Sequence, residues 1–114
     1  MKALIIVDMQ YDFLPGGALA VNEGDQLIDR INKLQDKFDL VVATQDWHPA
    51  NHKSFASQHD GKVPFDVIEL SGTKQVLWPD HCVQGTKGAE LHKDLKQNKI
   101  SAIIRKGMNP NVDS

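Results

Sequence analysis

The sequence predicts an α/β fold in which a parallel sheet is flanked by helices. Three short apolar runs, at residues 3–8, 40–44 and 100–106, are rich in β-branched residues and do not alternate with polar ones. This pattern is typical of strands buried on both faces. Two segments with helical spacing, 24–38 and 88–98, separate the runs. Strand–helix–strand–helix–strand order predicts βαβ units and therefore a parallel sheet.

Composition places the 114-residue chain among globular proteins of one modest domain. It is 40% hydrophobic and 25% charged with a formal charge of -2, so no basic face predicts nucleic-acid binding. No run approaches the roughly 20 apolar residues of a membrane span. The apolar run at the N-terminus ends at Asp8, which is not the pattern of a secretory signal. Cys82 is the single cysteine, which excludes an internal disulfide and favours a cytoplasmic location.

The first helical segment has a clear apolar stripe, with Asp25 as the predicted N-cap. Its apolar residues are Leu27, Ile28, Ile31, Leu34 and Phe38. The stretch 49–87 shows weak periodicity, and connections of that length are usually functional or mobile. Two helices cannot cover both faces of a three-stranded apolar sheet. We therefore expect residues 1–114 to be the N-terminal part of a single α/β domain, with the fold incomplete in this chain.

Charged residues stand at the carboxyl end of each predicted strand, where open parallel sheets bind ligands. The first strand leads to Asp8, the second to Asp46 and the third to Lys106. One such residue alone is most simply a solvated strand end. Three at the same edge, followed by a loop with histidines, predict a functional site.

Asp46 and His48 are two residues apart, so in extended backbone their side chains project to the same side with Trp47 opposite. A carboxylate with a neutral imidazole suits zinc, iron or manganese. The pair needs a third ligand, for which His52 and His81 are the candidates.

The remaining histidines and the cysteine are better explained without a role in chemistry. His59 and His92 are expected on solvated surfaces. Cys82 adjoins His81, but sequence neighbours usually point apart and a lone cysteine is more often a small buried hydrophobe. Phe13 and Trp78 fit lids over the core as well as they fit a binding site.

Four segments together resemble one enzyme family across the whole chain. They are "ALIIVDMQYDF", "DWHPANHKSFAS", "WPDHCVQGT" and "RKGMNPNVDS". In this order they resemble the nicotinamidases, or pyrazinamidases, of the isochorismatase-like cysteine hydrolases, whose sheet is the middle of a Rossmann-like three-layer fold. The joined D-W-H and W-P-x-H-C-V-x-G-T motifs point to that branch rather than to the wider superfamily.

The resemblance implies a metal-dependent amidase that converts nicotinamide to nicotinate and ammonia in NAD salvage and also accepts pyrazinamide. It implies that Asp8 is the acid/base and Lys106 the catalytic lysine. Phe13 and Trp78 would line the pyridine pocket. The implied metal ligands are Asp46, His48 and His81, joined in some members by His52. The metal is zinc, with iron or manganese in other members, and a homo-oligomer is a further expectation.

One family feature has no counterpart in this sequence. The family's nucleophile is a cysteine in a later A-T-D-x-C-V type segment, and Cys82 matches a different, non-nucleophilic position. Three hypotheses follow. The chain belongs to a longer nicotinamidase, or it is a hydrolase in which metal-bound water attacks with Asp8 as base, or it is a non-catalytic metal-binding half-domain that pairs with a partner chain or itself.

Overall fold

A three-stranded parallel sheet forms the centre of the molecule, as seen in a computed structural model that describes residues 1–113. Strands β1 (Ala3–Val7), β2 (Leu40–Asp46) and β5 (Ile100–Lys106) lie in the order β1-β2-β5. Both pairs are parallel, so the predicted α/β class and parallel sheet are confirmed. No helix within residues 1–113 is long and apolar enough to cross a membrane.

Helix α1 (Gln26–Gln35) connects β1 to β2 and is shorter than predicted. Ile28 is buried in the core, and Ile31 and Phe38 pack against it. Leu27 and Leu34 are exposed, so the apolar stripe is only partly covered. Asp25 occupies the N-cap position but makes no side-chain capping hydrogen bond.

The predicted helix at 88–98 is wrong. The structure has a short 3-10 turn at Lys87–Ala89, followed by irregular chain in which Leu91 and Leu95 are buried in the core. Side chains of α1 bond the backbone there: Asn32 donates to Asp94 O and accepts from Lys96 N, and Gln35 donates to Lys96 O. These bonds satisfy backbone groups that a helix would have paired internally, so the apolar spacing is used without a helix.

The long connection contains an antiparallel hairpin that was not predicted from the sequence, β3 (Val67–Leu70) with β4 (Thr73–Val76). Ser71 and Gly72 form its two-residue turn, both with positive φ (53° and 83°). A two-residue turn with both φ values positive matches the right-handed twist of paired strands. The Ser-Gly pair in "ELSGTKQV" is the sequence feature that marks this turn.

The strand pattern predicted a sheet buried on both faces, but in the structure apolar residues of the outer strands remain exposed. Its covered side contributes Ile6, Val41 and Ala43 to the core. The outer strands β1 and β5 expose apolar side chains, which are Ile5, Val7, Ile103 and Ile104.

Candidate active site and metal centre

Asp8, Asp46 and Lys106 lie together at the carboxyl end of the sheet. The parallel register pairs Asp46 with Lys106 directly. The Lys106 ammonium Nζ is 2.6 Å from Asp46 Oδ1 and 2.9 Å from Asp8 Oδ2. One lysine therefore bridges two carboxylates that come from different strand ends.

Thr44 fixes the second oxygen of Asp8. Its hydroxyl donates to Asp8 Oδ1 at 2.6 Å, and Asp8 N lies 3.2 Å from the same Thr44 Oγ1. Asp8 has a positive φ of 53°, which turns the chain sharply at the end of β1. Thr44 was not predicted from the sequence, although its position in β2 beside the end of β1 follows from the strand register.

Asp46, His48 and His81 form a compact buried group. One ligand atom from each lies within 4.8 Å of the others. Trp47 turns to the opposite side, where the Arg105 guanidinium lies 3.8 Å from its ring centroid. The arrangement follows from the two-residue spacing in extended chain, with the loop that carries His81 supplying the third group.

The hydrogen bonds of the two histidines leave one nitrogen of each available to a metal. His48 Nδ1 donates to Gly107 O at 2.7 Å, and His81 Nδ1 donates to Pro79 O at 2.8 Å. His48 Nε2 is buried 3.4 Å from Asp46 Oδ2 and has no hydrogen-bond partner among residues 1–113. A buried polar nitrogen beside a carboxylate, with the opposite nitrogen bonded to a carbonyl, is typical of metal-ligating histidine. The group therefore fits a divalent metal ion.

His52 is buried next to this group, but both of its nitrogens have protein partners. Its Nδ1 accepts from Ser54 N at 3.1 Å and from Ser54 Oγ at 2.8 Å, and its Nε2 lies 3.1 Å from Val112 O. Its ring contacts that of His48 edge-on, 4.6 Å between centroids. In this arrangement His52 supports His48 rather than offering a free nitrogen.

Two further buried residues organise the site and were missed from sequence. Gln10 donates its amide to Asp46 O and accepts from Asp46 N, both at 2.8 Å, and so holds the backbone of that residue. Phe55 is fully buried between the rings of His48, His52 and His81, with centroids 5.4 to 5.6 Å away. Gln10 lies two residues after Asp8 and Phe55 three residues after His52, and this proximity is only a weak indication from sequence that they belong to the site.

The charges of the site are mutually stabilised. Burial raises the pKa of Asp46, but the nearby His48 ring and the hydrogen-bonded Lys106 ammonium outweigh it and hold that pKa well below its ordinary value. Burial lowers the pKa of His48, yet the nearby Asp46 carboxylate and the hydrogen bond to Gly107 O raise it overall. For Lys106 the bonds to Asp46 and Asp8 likewise outweigh burial and raise the pKa. Burial lowers the pKa of His81, which favours the neutral ring that binds metals.

Phe13 and Trp78 have different surroundings. The Phe13 ring lies 5.6 Å from that of His81, and Phe13 also lines an open cavity of about 290 Å³ together with Asp8. Trp78 donates its indole N–H to Asp113 Oδ2 at 3.1 Å and meets Phe65 edge-on. Phe13 thus contacts His81, one of the three candidate metal ligands, whereas the indole N–H of Trp78 is bonded to Asp113.

The residues expected to lack chemistry lie in three different surroundings. Cys82 is buried, and burial raises the pKa of its thiol far above the ordinary value, so a thiolate is disfavoured. His59 hydrogen-bonds Lys53 O on the surface. The His92 side chain is only 18% exposed, not on a solvated surface as expected, and its ring lies tilted against that of Tyr11 with 4.8 Å between centroids.

Fold and site together define an α/β protein with a lysine–carboxylate cluster and a one-carboxylate, two-histidine group at one edge of a parallel sheet. The Isochorismatase domain model matches residues 2–110, and the chain belongs to that family. The nicotinamidase of Acinetobacter baylyi is 59% identical over 112 residues, which is 98% of this chain and 52% of the relative.

Two solved structures extend the comparison. The nicotinamidase pyrazinamidase of Acinetobacter baumanii is 54% identical, with a TM-score of 0.95 over 98% of this chain and 54% of that one. The pyrazinamidase of Pyrococcus horikoshii, solved in complex with zinc, is 44% identical with a TM-score of 0.73 over 98% and 55%. The chain spans about half the length of the relatives it matches.

Proposed function

We propose that residues 1–114 carry the metal-binding and acid/base portion of a nicotinamidase, which hydrolyses nicotinamide to nicotinate and ammonia and also accepts pyrazinamide. The observation that carries the proposal is the position of Lys106, which bridges Asp8 and Asp46 beside two histidines in a chain similar to nicotinamidases. The substrate is a small-molecule amide. A cytoplasmic location and a homo-oligomer remain predictions from sequence and family.

Asp8 is the proposed acid/base. Lys106 and Thr44 hold its two oxygens, so the carboxylate has a fixed direction in which to accept a proton from the attacking nucleophile. It returns this proton to the departing ammonia. Lys106 keeps the cluster from accumulating uncompensated negative charge as the nucleophile ionises. Phe13, and Trp78 on the evidence of the family resemblance, pack against the aromatic ring of the substrate.

Asp46, His48 and His81 are the proposed metal ligands, with His52 retained as an additional ligand only if its bonds to Ser54 and Val112 O are released. Zinc is the proposed ion, with iron and manganese as alternatives, because one carboxylate and two imidazoles suit all three. The relative from Pyrococcus horikoshii, solved in complex with zinc, supports this choice. The bound ion would supply a Lewis acid that orients the pyridine nitrogen of the substrate.

The nucleophile is proposed to be a cysteine outside residues 1–114, as the family resemblance implies, because Cys82 is buried with a disfavoured thiolate. Its sulfur would form a bond to the amide carbon as the C–N bond breaks and ammonia leaves. Water would then hydrolyse the thioester, which regenerates the thiol and releases the acid. The second candidate is direct attack by water with Asp8 as base, and the enclosed three-ligand group favours it as the route open to this chain alone.

A chimera tests the proposal. Residues 1–113 would replace the matching portion of the Acinetobacter baylyi nicotinamidase, and ammonia release from nicotinamide would be measured with zinc present. We expect activity in the chimera, loss of more than about 100-fold on Asp8→Asn or Lys106→Met, and no loss on His59→Ala, a surface histidine.

The 114-residue chain with zinc, assayed alone, separates the two routes. Activity that resists iodoacetamide would establish water as the nucleophile. Activity confined to the chimera and abolished by iodoacetamide supports the cysteine route. An inactive chimera whose fold and zinc content match the parent enzyme would refute both.

A further inference from the structure

The carboxylate of Asp12 joins the first turn after β1 to the loop that bears His81. From its contacts we infer that Asp12 is a positioning residue for the metal group, holding His81 and His48 where both can bind one ion. The inference rests on the proposed metal site and adds to it a residue that is not itself a ligand.

Asp12 acts through the backbone. Its Oδ2 accepts the Cys82 N–H at 2.8 Å, and that peptide is the one joining His81 to Cys82. The carbonyl of Cys82 in turn accepts the N–H of His48 at 2.9 Å. The Asp12 carboxylate thus fixes the peptide next to His81. Cys82, which supplies the N–H of that peptide, also holds the backbone of His48 through its carbonyl.

The restrained peptide has an unfavourable conformation. Cys82 has φ of +47°, in the left-handed region that residues with a Cβ rarely adopt. Such conformations persist where surrounding contacts hold them. Two backbone bonds, His48 N–H to Cys82 O and Gln84 N–H to His48 O, hold the loop after His81, but neither binds the N–H of the His81–Cys82 peptide. Loss of the Asp12 contact therefore releases that peptide, which would let His81 rotate away from Asp46 and His48.

The side-chain hydrogen bond of His81 cannot replace the restraint that Asp12 supplies. Its Nδ1 bonds Pro79 O, two residues earlier in the same loop, so it orients the ring relative to the loop only. Asp12 lies in the 3-10 turn Tyr11–Phe13 that follows β1, and so it ties the loop to the sheet edge that carries Asp46.

The packing around Asp12 matches this role. Its Oδ1 accepts Ala18 N–H at 3.2 Å, so both oxygens are engaged. Gly88 lies directly against the carboxylate, and a Cβ at that position would overlap it. Gly88→Ala would therefore displace the Asp12 carboxylate without changing any proposed ligand.

The experiment measures zinc affinity of the 114-residue chain by competition with a chromogenic chelator. Because outer partners of metal ligands typically contribute 10- to 100-fold in affinity, we expect Asp12→Ala to weaken zinc binding about 10- to 100-fold. Asp12→Asn keeps one acceptor oxygen and should lose less. Gly88→Ala should weaken binding in the same direction. Asp29→Ala removes an exposed carboxylate of the same charge and should change nothing.

Two further readouts separate positioning from folding. Circular dichroism and thermal unfolding without metal report the fold, and the visible absorption of bound Co²⁺ reports ligand geometry. A folded variant with weaker zinc binding and an altered Co²⁺ spectrum supports the inference. Unchanged affinity in a folded Asp12→Ala or Gly88→Ala variant would overturn it, as would the unfolding of both.

The parent chain provides the remaining distinction. If it binds no zinc, the proposed metal site fails and this inference fails with it. If it binds zinc and the variants bind equally well, only the role of Asp12 is refuted.

Discussion

The carboxyl end of the sheet and its outer strands are built in opposite ways. At the carboxyl end, polar side chains are enclosed: His48 is 0% exposed, His81 4% and Asp46 5%. On the outer strands, apolar side chains face outward, with Ile5 and Val7 each 61% exposed. Burial normally follows hydrophobicity, so both regions depart from the usual distribution.

The difference shows where each region finds its partners. The polar end is enclosed by loops of this chain, which supply carbonyl, imidazole and phenyl groups around the ligands. The outward-facing residues of β1 and β5 have no such cover among the described residues. The candidate metal group can therefore be formed by this chain even though its sheet is partly uncovered.

Removing the ring at the centre of the enclosed end should have the largest effect on stability. Phe55→Ala deletes a fully buried ring that contacts three imidazoles, and such changes cost about 3–5 kcal/mol because a cavity remains. Urea unfolding of the metal-free chain would measure the loss. Phe65→Ala, the same change at a mostly exposed ring, is the matched control and should cost much less. Equal losses would mean that the enclosed end is no better packed than the surface.

Lys106→Met should have an intermediate effect on stability. It should destabilise the metal-free chain but strengthen zinc binding. Breaking a buried ion pair by removing one partner costs about 3–5 kcal/mol. The Lys106 side chain is 36% exposed, so solvent screening reduces our expectation to about 1–3 kcal/mol in the metal-free chain. Zinc should bind the variant more tightly, because the ion no longer competes with an ammonium for Asp46.

Urea unfolding with chelator and with zinc would measure both effects. Lys33→Met, which breaks an exposed pair with Asp29, should alter neither. Weaker zinc binding by Lys106→Met would show that the lysine orients Asp46 for the metal rather than competing with it.

Stability and metal binding should respond to pH in opposite directions. The folded-state pKa of His48 is raised above 6.5, so its contribution to stability is fully present below pH 6.5 and is lost as pH rises through the raised value. Zinc needs the unprotonated ring, so its affinity should increase over the same window. The lowered pKa of Asp46 keeps its carboxylate ionised across this range.

Thermal unfolding across this window, with chelator and with zinc, would measure the two trends. His48→Gln should flatten the pH dependence without metal. Parallel trends with and without zinc would contradict the assignment of His48 as the group that exchanges a proton for the metal.

The sequence predicted the enclosed end better than the open one. Strand ends at Asp8, Asp46 and Lys106 could be anticipated because parallel strands end at one edge, and that rule needs only the order of the strands. Three of the missed residues, Gln10, Phe55 and Asp12, act through contacts that depend on loop conformation. Thr44 lies in β2, and its contact with Asp8 depends on the register between β1 and β2. The helix predicted at 88–98 failed because Asn32 and Gln35 bond the backbone there, and apolar spacing does not reveal such partners.

Substitution of an exposed apolar residue on β5 should have the smallest effect on stability. Ile104→Thr changes an exposed β5 residue while keeping a β-branched side chain, so the free energy of unfolding should change by no more than about 0.5 kcal/mol. The same substitution at the buried Ile6 should cost about 2 kcal/mol or more, because it removes core contacts and buries a hydroxyl. Urea unfolding of both variants would measure the contrast.

Sedimentation at several protein concentrations would show what the exposed face does. Exposed apolar strands favour association, so we expect Ile104→Thr to reduce self-association of the chain while Ile6→Thr does not. A loss of stability at Ile104 as large as that at Ile6, which disappears on dilution, would mean that a second copy covers β5. A large loss that is independent of concentration would mean that the face is covered within the chain itself, and the contrast between the enclosed and the open region would not hold in solution.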